Sequence, residues 1–270
     1  MSVNVYIAVD MEGIAGVVSW EEITGGKADY ERFRRLMTAE ADAAVRGAFD
    51  AGAREVLVND AHGAMRNLVI EELDPRAELI AGSPKAASMM EGLDAGFDAV
   101  VMIGFHSMAA SFGVLNHTYT GSVLEYRVNG RRMGEIGMCG ALAGHYGVPV
   151  AFVSGDDTTV REARELIPGL ATAQVKRYVG RYAARSLHPR RSRELIRSGV
   201  GRALMGQLPD PLCVETPVTL RLSFIDSANA DAYNLLPGAK RLDPLTVEYC
   251  AEDYADAYRA ARALMMLGGL

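Results

Sequence analysis

Acidic and imidazole side chains follow the apolar segments of the N-terminal half, at the points where these segments end. The residues concerned are Asp10, Glu12, Asp60, His62, His106, Asp156 and Asp157. Carboxylates and imidazoles bind zinc and similar divalent ions, and imidazole also transfers protons near neutral pH. Because ligands of an open parallel sheet bind beyond the carboxyl ends of its strands, these positions are the first candidates for chemistry.

Asp10 and Glu12 are two residues apart, so both side chains point to the same side of an extended chain. Two carboxylates this close repel each other, and the pKa of one rises unless a cation lies between them. A short pair of this kind also occurs where one carboxylate caps a helix or pairs with an arginine. The pair by itself therefore leaves a metal site and a structural role open.

His62 and His106 each follow a predicted buried strand, where a histidine is either a structural residue with a specific partner or a metal ligand. Together with Asp10 and Glu12 they form the mixed imidazole and carboxylate set that suits zinc. Glu135 is a fifth candidate, because it begins a predicted helix between glycines that indicate close backbone approach. Its alternative role is a favourable interaction with the positive N-terminus of that helix.

Three carboxylates and two histidines exceed the three protein ligands of a typical single catalytic zinc. Five ligands, one of them bridging, match a site with two metal ions about 3.5–4 Å apart. Asp10 is the candidate bridge, since it ends the first strand and has a second carboxylate two residues later. His117 lies in a segment of small and polar residues. It is either an exposed loop residue or a general base or donor to the transition state.

The apolar segments alternate with helical patterns, which predicts a mostly parallel sheet flanked by helices and joined by right-handed crossovers. Asn129 and Gly130 lie between two β-prone segments, a strong hairpin signal. The N-terminal elements predicted in this way are strands at 3–9, 55–59, 98–104 and 148–153, helices at 30–50, 135–146 and 160–166, and a hairpin of 124–128 with 131–133.

The C-terminal part has fewer predicted strands. Its predicted elements are helices at 174–186, 189–205, 230–236 and 252–266 and strands at 218–225 and 245–250. We therefore predict an α/β fold with a metal-binding catalytic domain at 1–167 and a smaller α+β domain at 168–270. No repeat or flexible linker marks the boundary, which we place near 165–170.

Composition limits the classes of function. The chain has 270 residues, which fits one large domain or two modest ones, and 49% hydrophobic with 23% charged residues, which excludes intrinsic disorder. A net charge of −6 argues against a nucleic-acid partner.

The three cysteines are scattered and form no C-x-x-C pair, which argues against disulfides and thiolate zinc sites. With no visible secretory signal and no apolar run of the ~20 residues that span a bilayer, we expect no membrane partner and a cytoplasmic location.

Five short motifs occur in an order and at separations that are specific in combination. They are Val9-Asp10-Met11-Glu12-Gly13, Asn59-Asp60-Ala61-His62, Gly104-Phe105-His106, Asn116-His117-Thr118 and Gly134-Glu135-Ile136-Gly137. This set resembles the zinc-dependent D-aminopeptidase family, and the resemblance continues through 153–157, 165–168 and 234–238. It implies release of an N-terminal D-residue from short peptides, two zinc ions per subunit, and a ring-like homo-oligomer such as a decamer.

The resemblance also implies roles for individual residues. Asp10 matches the bridging carboxylate, Glu12 and His62 complete one zinc site, His106 and Glu135 complete the other, and His117 matches the catalytic histidine. Ala61 stands where we expect a serine and Phe105 where we expect a tyrosine. Each change removes a hydroxyl near the metals but no ligand, so it concerns the tuning of the site and its substrate preference.

Two other functions are compatible with these residues. The first is a related metal-dependent amide hydrolase that acts on L-peptides or cell-wall fragments, and the metal ligands cannot distinguish it from a D-aminopeptidase. The second is a non-catalytic peptide-binding protein that uses its metal structurally. A closed coordination shell would support the second function, whereas the complete set of five ligands with His117 argues against it.

Overall fold

The computed structural model describes residues 3–232 and 235–267, which form two sheets with helices packed against them. The strands are β1 (Asn4–Val9), β2 (Glu55–Asp60), β3 (Glu78–Ile80), β4 (Ala99–Ile103), β5 (Val123–Val128), β6 (Arg131–Met133), β7 (Val150–Asp156), β8 (Ala171–Gly180), β9 (Ala183–Ser186), β10 (Val218–Phe224), β11 (Lys240–Arg241) and β12 (Thr246–Ala251). The α-helices are α1 (Trp20–Ile23), α2 (Tyr30–Asp50), α3 (Glu135–His145), α4 (Asp157–Leu166), α5 (Pro189–Met205), α6 (Ser227–Ala232) and α7 (Tyr254–Leu267).

The larger sheet has seven strands in the order β3-β2-β1-β4-β7-β8-β9. All neighbouring pairs are parallel except β8 with β9, which form an antiparallel edge. Strand β1, inside this sheet, is covered on both faces, as its continuous apolar sequence predicts. On β1, Val5 and Ile7 belong to one apolar core, whereas Tyr6 and Ala8 belong to another. The predicted fold class, a mostly parallel sheet flanked by helices, is confirmed.

Helix α2 shows how one face of this sheet is covered. Phe33, Met37, Ala44 and Ala48 recur at helical spacing and are buried in the same core as Val5 and Ile7. The helix ends before Gly52, whose φ of +89° suits the left-handed position that follows many helices. Helix α5 packs against α2 in this layer.

The second sheet is antiparallel, in the order β11-β12-β10-β5-β6. Its β5–β6 hairpin turns at Asn129 and Gly130, both with positive φ (48° and 80°), as the Asn-Gly signal predicts. Residues of this sheet share one apolar core with α3, α7 and the opposite face of the parallel sheet. The two sheets are thereby held against a common core.

The prediction of a helix over 174–186 is wrong, because this segment forms β8 and β9. Val175 and Tyr178 favour strands, and burial alternates at Ala173 and Val175. The deciding contact is remote in sequence, since β8 extends the parallel sheet by pairing with the buried strand β7. The short strand β3 was not predicted either. The predicted helix at 230–236 corresponds in part to α6, and its residues 233–234 lie outside the described residues, as does Asn234 of the motif at 234–238.

Each sheet takes strands from both sides of residue 167. The parallel sheet includes β8 and β9, and the antiparallel sheet includes β5 and β6. The division into domains at 1–167 and 168–270 stays a prediction, and residues 1–167 contribute strands to both sheets. Within 3–232 and 235–267, no helix has the length and apolar character needed to cross a bilayer.

Candidate metal centre

The carboxyl ends of three adjacent strands bring the predicted site residues together. Strand β1 lies between β2 and β4, and Asp10, His62 and His106 follow these strands within three residues. Glu12 follows in the loop after β1, His117 comes from the segment between β4 and β5, and Glu135 is the first residue of α3. All but His117 are buried, and the His117 side chain is 12% exposed. The structure thus gathers residues spread over 126 positions of the chain into one cluster.

Two glycines allow the loops after β1 and β4 to lie close together. The Gly13 N–H donates to the Gly104 carbonyl (2.7 Å), and the Asp10 N–H donates to the Ile103 carbonyl (2.8 Å). A Cβ on Gly13 would overlap the carbonyl oxygen of Phe105, and one on Gly104, which has φ +71°, would overlap that of Asp10. A side chain at either position would therefore push Asp10 away from the β4 loop.

His62 is held by one ring nitrogen and faces carboxylates with the other. Its Nε2 lies 2.9 Å from the Ile23 carbonyl oxygen, which can only accept, so Nε2 carries the hydrogen. Its Nδ1 lies 3.2 Å from Asp10 Oδ1 and 3.0 Å from Glu12 Oε2. In the neutral ring this nitrogen presents a lone pair to two carboxylate oxygens.

His106 is arranged in the same way, except that its two ring nitrogens exchange roles. Its Nδ1 donates to the Ser107 carbonyl (3.0 Å), and its Nε2 lies 3.4 Å from Asp10 Oδ2 and 3.2 Å from Glu135 Oε1. Asp10 therefore faces one histidine with each of its two oxygens. Both His106 Nε2 and Asp10 Oδ2 are buried without a hydrogen-bond partner.

His117 stacks on His106, with ring centroids 4.1 Å apart and an angle of 10° between the planes. Its Nδ1 donates to the Leu115 carbonyl (2.9 Å), which leaves Nε2 facing Glu12 Oε1 (3.9 Å) and Glu135 Oε1 (3.7 Å). Trp20 packs edge-on against the imidazole. Burial and the neighbouring His106 lower the pKa of His117, which favours its neutral form.

The three histidines share one feature, which bears on whether a cation fits between them. Each uses one N–H on a backbone carbonyl and aims the other nitrogen at two carboxylates. Opposed lone pairs at these distances repel, so a proton or a cation must lie between them. Without a metal, burial opposes protonation of His62 and His106, yet the adjacent carboxylates raise the pKa of both well above the usual value. Burial, together with Glu12, raises the pKa of Asp10.

Three overlapping sets of side chains present ligand atoms within 4.8 Å of one another. They are Asp10 with Glu12 and His62, Asp10 with His106 and Glu135, and Glu12 with His106 and His117. The donor chemistry is that of zinc sites, and each imidazole donates its second ring N–H to a carbonyl, as metal-bound histidines do. The residues therefore fit a metal centre. The third set means that the distances alone do not separate His117 from the other candidates.

The comparisons with known proteins agree with this geometry. A family model described as D-aminopeptidase of peptidase family M55 matches residues 3–263. The chain belongs to this family. It is 39% identical over 259 residues to a D-aminopeptidase of Bacillus subtilis (strain 168), covering 95% of this chain and 94% of that protein.

A solved structure described as the Zn-dependent D-aminopeptidase DppA from Bacillus subtilis, a self-compartmentalizing protease, superposes with a TM-score of 0.96 at 38% identity over 98% of each chain. The predicted resemblance and the prediction of a metallo-aminopeptidase, a hydrolase acting on peptide bonds, are confirmed at the level of the family.

The site of this family member opens into a cavity of about 1010 Å³. Asp10, Glu12, His62, His117 and Glu135 lie in its wall, which also includes Trp20, Tyr30 and three arginines, Arg34, Arg66 and Arg262. Ala61 lines the cavity, whereas Phe105 is fully buried in the apolar core. Of the two positions that depart from the family pattern, only Ala61 lines the cavity.

Three charged residues that hold the loops of the site are not among the predicted metal ligands and catalytic residue. We call Asp60, Asp156 and Lys176 the loop anchors. Asp60 accepts from the N–H groups of Asn67 (2.5 Å) and Leu68 (2.8 Å) and thereby holds the loop that carries His62.

Asp156 accepts from the Val114 N–H (2.7 Å) at the start of the turn that leads to His117, and it caps α4 at Thr159 N (2.8 Å). Lys176 is buried, and its Nζ donates to the carbonyls of Glu12, Ile14 (3.1 Å) and Val17 (2.7 Å).

The sequence contains a signal for two of these anchors. Asp60 and Asp156 follow predicted strands, and an aspartate three residues before a threonine at a helix start is a common N-cap pattern. Nothing local marks Lys176, because its segment was predicted as a helix, where a lysine is normally a solvated residue. Only the pairing of β8 with β7 places it beneath the loop after β1.

Proposed function

We propose that this protein is a binuclear zinc aminopeptidase that removes N-terminal D-residues from short peptides. The observation that carries the proposal is the arrangement of ring nitrogens and carboxylates, in which Asp10 faces His62 with one oxygen and His106 with the other. Membership of the family, and the names of the relatives as D-aminopeptidases, support the choice of reaction and of substrate handedness.

In this proposal Glu12 and His62 would hold one zinc ion, His106 and Glu135 would hold the other, and Asp10 would be shared by both sites. Bound zinc supplies Lewis acidity, which polarises a peptide carbonyl and lowers the pKa of water. The carbonyl partners of His62 and His106 fix the tautomers that direct the free nitrogens inward.

The chain supplies a proton carrier at His117. Because Nδ1 donates to the Leu115 carbonyl, Nε2 is the nitrogen without a hydrogen, and it faces the same carboxylates that surround the centre. It is therefore placed to accept a proton from the nucleophile and return it to the leaving amine. The stacked ring of His106 and the edge of Trp20 hold the imidazole in this orientation.

The remaining parts of the proposal concern assembly and location. We propose a ring-like homo-oligomer, such as a decamer, because the matched structure is described as a self-compartmentalizing protease. The scattered, free cysteines support a reducing compartment, which we take to be the cytoplasm.

Metal analysis of the purified protein and a panel of D- and L-aminoacyl amides test the proposal together. We expect two zinc ions per subunit and turnover of the D-amides, with the L-amides much slower. Preferential turnover of L-amides would favour the related amide hydrolase, and bound metal without turnover of any amide would favour the peptide-binding protein. A single metal per subunit would contradict the binuclear assignment.

A further inference from the structure

The cavity wall contains three arginines besides the carboxylates and histidines of the centre. Two of them are engaged by the protein. Arg262 is buried, and it donates from Nε to Tyr119 Oη (3.2 Å) and from Nη1 to the Lys85 carbonyl (2.8 Å). Arg34 donates from Nε to the Asn67 carbonyl (2.6 Å) and pairs with Glu31 (3.5 Å). These guanidinium groups build the wall of the cavity.

Arg66 differs from both. Its side chain is exposed and, among residues 3–232 and 235–267, has neither a hydrogen-bond nor an ion-pair partner. A guanidinium that lines a cavity without a protein partner keeps all five donors for a ligand. The planar pair of donors matches a carboxylate in two parallel hydrogen bonds.

The backbone that carries Arg66 is held in place relative to the metal centre. It lies in the same loop as His62, and this loop is closed by a hydrogen bond from the Met65 N–H to the His62 carbonyl (2.7 Å). Asp60 binds the next two N–H groups, at Asn67 and Leu68. Met65 has φ +56°, a conformation that non-glycine residues adopt mainly where the surrounding structure enforces it.

The cavity has charges of both signs in its wall, the carboxylates of the centre and the guanidinium of Arg66, and a short peptide has one charge of each sign at its ends. A dipeptide carries an ammonium group and a carboxylate about 7 Å apart at most, because each extended residue spans roughly 3.5 Å. On the basis of the proposed function, we propose that Arg66 binds the terminal carboxylate of a short peptide whose scissile bond lies at the metal centre. Arg66 then determines specificity, since a longer or amidated peptide presents no charge at this position.

The test compares D-alanylglycine with D-alanylglycinamide, which differ only in the terminal carboxylate, on the zinc-loaded enzyme. We expect the wild type to prefer the free acid. Arg66→Gln should lower kcat/KM for the free acid about tenfold (~1.4 kcal/mol), through KM, and leave the amide within twofold. Arg66→Lys should retain part of the preference.

Arg54→Gln is the matched control, because Arg54 is an exposed arginine beside the amino end of β2, whereas Arg66 follows its carboxyl end. The Arg54→Gln variant should have the kcat/KM of the wild type for both substrates. Equal losses on both substrates in Arg66→Gln, or no loss on either, would overturn the role of Arg66 while the proposed function stands. If the wild type cleaved neither substrate, this result would contradict the proposed function and, with it, this inference.

Discussion

Two groups of buried charges lie close together in this protein and are satisfied in opposite ways. The loop anchors Asp60, Asp156 and Lys176 bind backbone N–H or carbonyl groups. In the metal centre, by contrast, side chains face one another, and both Asp10 Oδ2 and His106 Nε2 lack a hydrogen-bond partner. The charged groups of the anchors are hydrogen-bonded to the backbone, whereas the centre contains polar atoms without a hydrogen-bond partner.

This difference distinguishes residues that hold loops from residues that we propose bind a metal ion. Buried polar groups in folded proteins are nearly always hydrogen-bonded, so unpaired ligand atoms that face one another support the proposed metal centre. The anchors lie directly behind the loops of that cluster and fix the positions of its ligands. Substitutions in the centre should therefore act mainly on metal content, and substitutions in the anchors mainly on stability.

Asp10→Asn tests the centre with the largest expected effect. Loss of the shared carboxylate should abolish binding of at least one zinc ion and lower kcat/KM roughly 10³-fold, because metal-assisted charge stabilisation contributes several kcal/mol. The metal-free variant should be at least as stable as the metal-free wild type, since a buried charge beside Glu12 has been removed. Metal analysis and thermal midpoints measured in chelator check both expectations.

Asp60→Asn makes the same chemical change in an anchor and is the control for this variant. It should keep the zinc content and lower the thermal midpoint, because two backbone N–H groups lose a charged acceptor. If both variants lost zinc and stability alike, the distinction between centre and anchors would be wrong.

His117→Ala divides the centre itself into metal ligands and a proton carrier. We expect a loss of about 10²–10⁴-fold in kcat with unchanged zinc content, which is the usual contribution of a positioned general base. Kinetics and metal analysis of the same preparation measure both quantities. Loss of zinc in this variant would make His117 a ligand, as the set with Glu12 and His106 permits.

Lys176→Met tests the anchor that lies beneath the loop after β1. Three backbone carbonyls lose their donor, and we expect a destabilisation of about 4 kcal/mol. Zinc should bind more weakly, because Glu12 belongs to the loosened loop. Urea unfolding and zinc competition with a chelator measure these effects, and an unchanged midpoint would show that Lys176 holds no loop.

Glu40→Gln tests a buried carboxyl group outside both the metal centre and the three loop anchors. Burial raises the pKa of Glu40 from 4.5 to about 7, although Ser192 and the Ala15 N–H donate to its Oε1. The folded state therefore binds a proton more tightly than the unfolded state. The resulting stabilisation is complete below pH ~4.5 and is lost as the pH rises through about 7.

The glutamine cannot ionise, so the variant should be more stable than the wild type above pH 7, by up to about 3 kcal/mol, and equal to it near pH 4.5. Thermal midpoints of both proteins between pH 4.5 and 8 measure this difference. A difference that does not vary with pH would assign the effect to packing instead of titration.

Much of the fold could be predicted because its signals are local. The apolar strand β1, the long amphipathic helix α2 and the Asn129-Gly130 hairpin each follow from a pattern within about twenty residues. The segment at 174–186 was predicted wrongly for the same reason. Its local pattern permits a helix, and pairing with β7 made it a strand.

The amino-acid sequence by itself determined which groups are available for chemistry and at which strand ends they occur. Asp10, Glu12, His62 and His106 were identified in this way, because a parallel sheet sends the carboxyl ends of its strands to one edge. Glu135 was identified instead from its place at a helix start between glycines, and His117 from the chemistry of imidazole in a polar segment. The tertiary structure alone decided which nitrogen of each imidazole faces the centre and which charges hold the loops. Ring orientation depends on carbonyls such as those of Ile23 and Leu115, whose positions follow from the fold as a whole.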